Sequence, residues 1–178
     1  MPEKLDKLKN IKLLLLDVDG VLTDGSIVCD DNHTEIKKFN VKDGLGIKLL
    51  LNSGIKVGIV SARSSKAVYH RCNDLGIEII FTNVKDKASV ISLIMDKMGI
   101  SANEIAFVGD DLIDLPLLKK VGCAISVSDA HEVVLKNVDI VTSNKGGNGA
   151  VREVCEAILK AQNLWETIID SFLNADTQ

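Results

Sequence analysis

The feature that most constrains this chain is the run over residues 11–25, I-K-L-L-L-L-D-V-D-G-V-L-T-D-G. An apolar stretch bounded by charge, too short for a membrane span and leading straight into Asp and Gly, has the pattern of a strand buried on both faces. It predicts the central strand of a parallel sheet over residues 12–16. Open α/β sheets hold their ligand crevice beyond the carboxyl ends of the strands, so Asp17 and Asp19 emerge where chemistry is done. Two carboxylates one residue apart at that point suit a divalent cation, a nucleophile beside an acid/base, or both. Asp and Gly are also ordinary turn residues, so this stretch does not decide alone.

The rest of the chain repeats the pattern. Residues 1–10 form a polar lead-in. Residues 26–29 and 34–39 are β-capable runs flanking Asp30, Asp31, Asn32 and His33, which predicts a hairpin flap at about residues 25–40. From Asp43, the apolar residues Leu45, Ile47, Leu49, Leu50 and Leu51 suit a helix that ends before Gly54. Buried strands are expected at 56–60, 77–81 and 104–108, with shorter ones at 123–127 and 139–141. Helices are expected up to Leu75, over 86–98 and from Ala150. Strand and helix alternate throughout, so the fold class is α/β with a parallel sheet. At 178 residues, the reading is a single domain over 1–178, with a helical tail at about 163–178.

Composition narrows the function. A net charge of −4 gives no basic field for nucleic acid, and 3% aromatic residues offer few stacking platforms for single strands. No nucleic-acid partner is expected, and any anionic ligand must be met by local Lys and Arg. Cys29, Cys72, Cys123 and Cys155 are scattered without a C-x-x-C pair, so buried reduced thiols are expected rather than a zinc or redox site. The start of the chain lacks the basic-then-apolar order of a signal peptide, and no apolar run approaches spanning length. These features predict a cytoplasmic protein with no membrane partner.

Four strands end in groups with one common use. Asp17 and Asp19 follow the first, Ser61 the second, and Asp110, Asp111 and Asp114 the fourth, while Lys87 opens the helix after the third. Converging carboxylates bind Mg²⁺, which commonly joins one or two of them to a substrate phosphate. A hydroxyl and an ammonium would hold the phosphoryl oxygens. Singly, Ser61 reads as a helix cap, Lys87 as a solvated charge, and Asp110 and Asp111 as caps of the next helix. Their joint placement at successive strand ends favours phosphoryl transfer.

D-V-D-G-V-L-T, Ser61, Lys87 and G-D-D-L-I-D, in that order, resemble the four motifs of the haloacid dehalogenase (HAD) superfamily of phosphatases. That resemblance implies a Rossmann-like sheet with helices on both faces, Asp17 as nucleophile, and Asp19 as general acid/base. Ser61-Ala62 stands where Thr-Gly is frequent and keeps the hydroxyl. F-N-V-K-D-G-L-G-I-K, A-R-S-S-K-A-V, D-K-A and G-A-V-R-E-V-C further resemble the 3-deoxy-D-manno-octulosonate 8-phosphate (KDO 8-phosphate) phosphatases of lipopolysaccharide biosynthesis. This finer resemblance implies substrate contacts at Asp19, Asn40, Val41, Lys42, Asp43, Gly44, Lys48, Arg63, Arg71 and Lys87; Lys48 stands where Arg is common.

The implied chemistry is hydrolysis through a phosphoaspartate on Asp17, with Mg²⁺ held by Asp17, Asp110 and the backbone carbonyl of Asp19. Asp111 and Asp114 would orient these ligands or Lys87. The intervals between motifs leave no room for a cap domain. A flap packed beside the crevice is not expected to close it too, so the reading assigns the lid to neighbouring subunits of a homotetramer. The tail from Leu164 to Leu173 has apolar residues at helical spacing and packs either on a neighbour or on its own domain. Gly146 to Gly149 with Arg152 reads as an anion loop or a plain turn. Other readings are a nonulosonate 9-phosphate phosphatase, a phospho-receiver domain, whose motif order differs, and a non-catalytic module of the same fold.

Overall fold

The computed structural model describes residues 6–32 and 34–174, so the first half of the predicted lead-in, His33 of the predicted hairpin turn and the last four residues of the predicted tail lie outside the described residues. The leucine run forms β1 (Leu13–Leu16), buried along its whole length. Its side chains divide with the two-residue period of a strand. Leu14 and Leu16 enter a core with Ile47, Leu50, Val151 and Ile158, while Leu13 and Leu15 enter a second core with Val90, Ile94, Phe107 and Leu117. Both faces of the sheet are therefore covered by helices, as an uninterrupted apolar strand requires.

A short hairpin follows, β2 (Val28–Cys29) antiparallel to β3 (Glu35–Ile36). Its ladder is shorter than the flanking β-capable runs. Helix α1 (Val41–Asn52) starts two residues before the predicted point, because the Asn40 side chain accepts a hydrogen bond from the Lys42 backbone N–H at 2.8 Å. Then come β4 (Lys56–Val60), α2 (Lys66–Leu75), β5 (Ile79–Phe81) and a 3₁₀ turn at Lys87–Ser89 that opens α3 (Val90–Met98). The chain continues through β6 (Ile105–Gly109), α4 (Leu115–Leu118), β7 (Cys123–Ser126), α5 (Glu132–Leu135), β8 (Ile140–Val141), α6 (Ala150–Ala161) and α7 (Trp165–Leu173).

The main sheet runs β5-β4-β1-β6-β7-β8 with parallel pairing throughout. The chain winds from β1 to one edge, then returns to β6 on the other side of β1. The strand order thus switches between β1 and β6, and a crevice opens beyond their carboxyl ends. Among the described residues, only the hairpin and α1 lie between β1 and β4, so no cap domain is inserted there.

Three expectations are refined. Cys72, Cys123 and Cys155 are buried, but Cys29 sits on the exposed hairpin. The tail docks on its own core through Leu164, Trp165 and Ile168, with the Arg152 guanidinium 5.7 Å from the Trp165 ring, while Phe172 and Leu173 stay exposed. The glycine loop is a packing turn. Gly147 N–H donates to the Val21 carbonyl and Gly146 N–H to Asp129, and neither position has space for a β-carbon beside the loop after β1. No helix among the described residues is long and apolar enough to cross a membrane.

Candidate active site

Asp17, Asp19, Ser61, Ala62, Arg63, Asp110, Asp111 and Ile113 line one crevice of about 140 Å³ at the ends of β1, β4 and β6. Asp17 is placed directly by β1, its backbone N–H donating to the Val108 carbonyl of β6 at 3.0 Å. The chain then turns through Gly20, whose φ of 89° is a conformation natural to glycine. A β-carbon there would collide with the Asp110 carboxylate, so the bare glycine lets the loop after β1 close against the loop after β6.

Behind the crevice, Lys87 is fully buried, not a solvated charge. Its ammonium lies 2.8 Å from Asp17 Oδ1 and 2.6 Å from Asp114 Oδ1. Burial pushes this ammonium down, but the two carboxylates outweigh it and hold the pKa above its ordinary value. The second oxygen of Asp114 accepts the backbone N–H groups of Asp110 at 2.9 Å and Asp111 at 3.2 Å. Asp114 therefore fixes the loop that carries Asp110. Asp111 caps the turn behind it by accepting from Leu112 N–H at 2.7 Å, the structural use expected of an Asp there. Ser61 is buried and accepts from Arg63 N–H at 3.3 Å; α2 starts at Lys66, so Ser61 does not cap it.

The electrostatics are unbalanced. Asp17, Asp19, Asp110, Asp111 and Asp114 outnumber the cations that face them: Lys87 on Asp17 and Asp114, and Lys37 and Arg63 on Asp19. Burial, opposed by Lys87, raises the Asp17 pKa to about 6. Burial and the neighbouring Asp17 and Asp114 carboxylates raise that of Asp110 to about 8. Asp110 Oδ1 is buried and has no hydrogen-bond partner. Carboxylate oxygens of Asp17, Asp110 and Asp114 come within 4.8 Å of one another. Crowded carboxylates with an orphaned oxygen fit a divalent cation that prefers oxygen ligands. Both Asp114 oxygens are already engaged by Lys87 and the backbone, so Asp17 and Asp110 are the side chains free to hold it.

The hairpin flap, expected beside the crevice, reaches Asp19 at the crevice of its own chain. Lys37, just past β3, forms an ion pair with Asp19 and a second with Glu35 Oε1 at 2.8 Å, and Glu35 pairs in turn with Arg63. Sequence reasoning missed Glu35 and Lys37. The available signal was alternation: Glu35 and Lys37 share one strand face, and exposed Ile36 points the other way.

The remaining residues implied by resemblance do not line this crevice. Asn40, Val41, Lys42, Asp43, Gly44 and Lys48 occupy the start of α1, with Arg71 of α2 beside them. Asp43 is buried and accepts Arg152 N–H at 2.8 Å, whereas Val41, Lys42 and Lys48 face outward. Gly44 makes room for the Arg71 guanidinium, which lies 6.0 Å from the Phe39 ring.

Comparison with known proteins agrees with this geometry. The family model described as haloacid dehalogenase-like hydrolase matches residues 76–154. The 3-deoxy-D-manno-octulosonate 8-phosphate phosphatase of Salmonella typhimurium is 46% identical over 161 residues, 90% of this chain and 86% of its own. The chain belongs to the haloacid dehalogenase-like hydrolases, in the 3-deoxy-D-manno-octulosonate 8-phosphate phosphatase family. Another member of this family, from Escherichia coli (strain K12), is 47% identical over 156 residues, 88% of this chain and 83% of its own. The crystal structure of the Moraxella catarrhalis member, in complex with magnesium ion, phosphate ion and KDO, matches with a TM-score of 0.94 at 44% identity, covering 97% of this chain and 99% of that one. A cobalt-bound family structure from Haemophilus influenzae matches with a TM-score of 0.90 at 41% identity, covering 94% and 99%.

Proposed function

We propose that this protein is a Mg²⁺-dependent phosphomonoesterase that hydrolyses 3-deoxy-D-manno-octulosonate 8-phosphate to the free sugar acid and phosphate. The observation that carries the reading is the buried Asp17–Asp110 pair at the strand-order switch, with an Asp110 oxygen left for a cation and Lys87 beside the nucleophile. The relatives' names supply the substrate class.

In this mechanism Asp17 attacks phosphorus, forming the aspartyl–phosphorus bond as the bond to the sugar oxygen breaks. Asp19 gives its proton to the departing alkoxide, then takes one from the water that releases phosphate. The Ser61 hydroxyl holds a phosphoryl oxygen, and the Lys87 ammonium behind it holds the Asp17 carboxylate in place for attack. A Mg²⁺ ion held by Asp17, Asp110 and the Asp19 carbonyl would supply positive charge against the phosphoryl group. Asp114 and Asp111 keep the loop after β6 in place for that ion.

A crevice of about 140 Å³ suits a phosphoryl group, not an eight-carbon acid, so the sugar must extend beyond it. Residues 1–178 act as one catalytic domain without a cap. The outward-facing Val41, Lys42 and Lys48 at the start of α1 then read the sugar of a neighbouring subunit's substrate in a homotetramer. Phosphate release from purified protein with Mg²⁺, against an EDTA control, tests the activity. The sugar acid 8-phosphate is expected to exceed simple sugar phosphates; preference for a nonulosonate 9-phosphate would overturn the specificity, and no release from any ester would overturn the chemistry. Sedimentation as a monomer at assay concentration would remove the shared site.

A further inference from the structure

Asp19 carries the proton in the mechanism above, yet it sits in a loop with a quarter of its side chain exposed, and nothing in that loop orients it. Among the described residues, the hydrogen bond to its carboxylate comes from the hairpin: Lys37 Nζ donates to Asp19 Oδ1. The Lys37 side chain is 2% exposed and so held in a single direction. Its other partner, Glu35 Oε1, lies 2.8 Å away, and Glu35 is in turn held by Arg63. Arg63 Nε also stands 4.0 Å from Asp19 Oδ2. Four charges of alternating sign thus close a ring through three separate segments: the loop after β1, the hairpin and the loop after β4.

We propose that Lys37 is a positioning residue that aims the Asp19 carboxylate at the leaving-group oxygen, with Glu35 as its second anchor. By taking Oδ1, Lys37 leaves Oδ2 as the oxygen that faces the ester. A carboxylate held on one oxygen has little freedom to rotate, and proton transfer to a leaving group depends steeply on that alignment. The hairpin therefore contributes to the reaction of its own chain. The inference rests on the assignment of Asp19 as general acid.

The test compares first-turnover rates of leaving-group release for two esters in Lys37→Met, Lys37→Arg and Asp19→Asn proteins loaded with Mg²⁺. A sugar alkoxide needs a proton to leave, whereas p-nitrophenolate does not. Lys37→Met is expected to slow release from the sugar acid 8-phosphate by about 10- to 100-fold with KM nearly constant. Release from p-nitrophenyl phosphate is expected to change by less than about threefold, and Lys37→Arg to restore most of the rate on the sugar ester. Equal losses on both esters, or a rise in KM without a slower first turnover, would overturn the positioning role in favour of a structural or substrate-binding one. If Lys37→Met unfolds, the same ester comparison on Lys37→Gln, which keeps a polar end without the charge, decides. An Asp19→Asn protein as fast as wild type on the sugar ester would instead sink the assignment of Asp19, whereas a slow Asp19→Asn beside a fast Lys37→Met sinks only the role of Lys37.

Discussion

The Lys87 ammonium lies 2.8 Å from the nucleophile candidate Asp17, with none of its side chain exposed to solvent. A second carboxylate, Asp114, contacts it at 2.6 Å, and the Phe107 ring lies 5.9 Å away. Removing this cation leaves two buried carboxylates facing each other without compensation. Lys87→Met is therefore expected to lose about 3–5 kcal/mol of stability, the usual result of orphaning buried charge. Urea unfolding measures it, and phosphate release should fall to background in the same protein. A Lys87→Met protein as stable as wild type would mean that the charges are not coupled as their distances indicate.

Metal binding should respond to pH through Asp110. Burial first, then Asp17 and Asp114, raise its pKa to about 8 in the metal-free protein, from 3.8 in the unfolded chain. The folded state thus holds a proton there that the unfolded state releases, and this site's contribution to stability falls as pH rises from about 4 to about 8. A cation needs the ionised form, so Mg²⁺ must displace that proton. Mg²⁺ should raise the melting temperature more at pH 8 than at pH 6, and calorimetric titration should show proton release between those values. Equal Mg²⁺ shifts at both pH values would contradict the link.

Much of this was legible in the chain because two signals were local. Four leucines before Asp17 specify a doubly buried strand, and Asp, Ser, Lys and Asp-Asp at successive strand ends specify a crevice. The burial of Lys87 was not legible: its neighbours Asp86 and Ala88 look like an ordinary helix start, and Asp86 does cap that turn. The partners that make the burial of Lys87 tolerable are distant in the chain, Asp114 among them at 27 residues away. Glu35 and Lys37 were missed for a similar reason. Charges on a short hairpin read as solvated until the hairpin's angle turns them toward Asp19, and no local pattern encodes that angle. The early start of α1 follows from Asn40, whose cap was overlooked among residues assigned to substrate.

Gly20 should tolerate no side chain. Its φ of 89° strains any L-residue, and a β-carbon would press on Asp110. Gly20→Ala is expected to cost at least about 1–2 kcal/mol from backbone strain. The larger effect is expected on Mg²⁺, because the displaced carboxylate is one of the two side chains proposed to hold it. Urea unfolding and Mg²⁺ titration should both move; a loss of stability with metal affinity intact would show that the loop yields without shifting Asp110.

Asp114 separates holding a metal from holding the metal's ligands. Its carboxylate is fully buried, with one oxygen on Lys87 and the other on the backbone N–H groups of Asp110 and Asp111. Asparagine has the same shape but one acceptor oxygen, so Asp114→Asn must turn its amide toward either the Lys87 ammonium or two N–H donors. Either orientation opposes donor to donor in a buried site, and a loss of about 3 kcal/mol or more is expected. Freed from that anchor, the loop presents Asp110 less accurately, and Mg²⁺ affinity should fall about 10- to 100-fold, the range seen when groups supporting metal ligands are removed. Saturating Mg²⁺ should then recover much of the phosphate release, since Asp17, Asp19 and Asp110 all remain. Activity that stays lost at saturating Mg²⁺ would instead assign Asp114 to keeping Lys87 aligned on Asp17, with the metal a secondary beneficiary of the same contact.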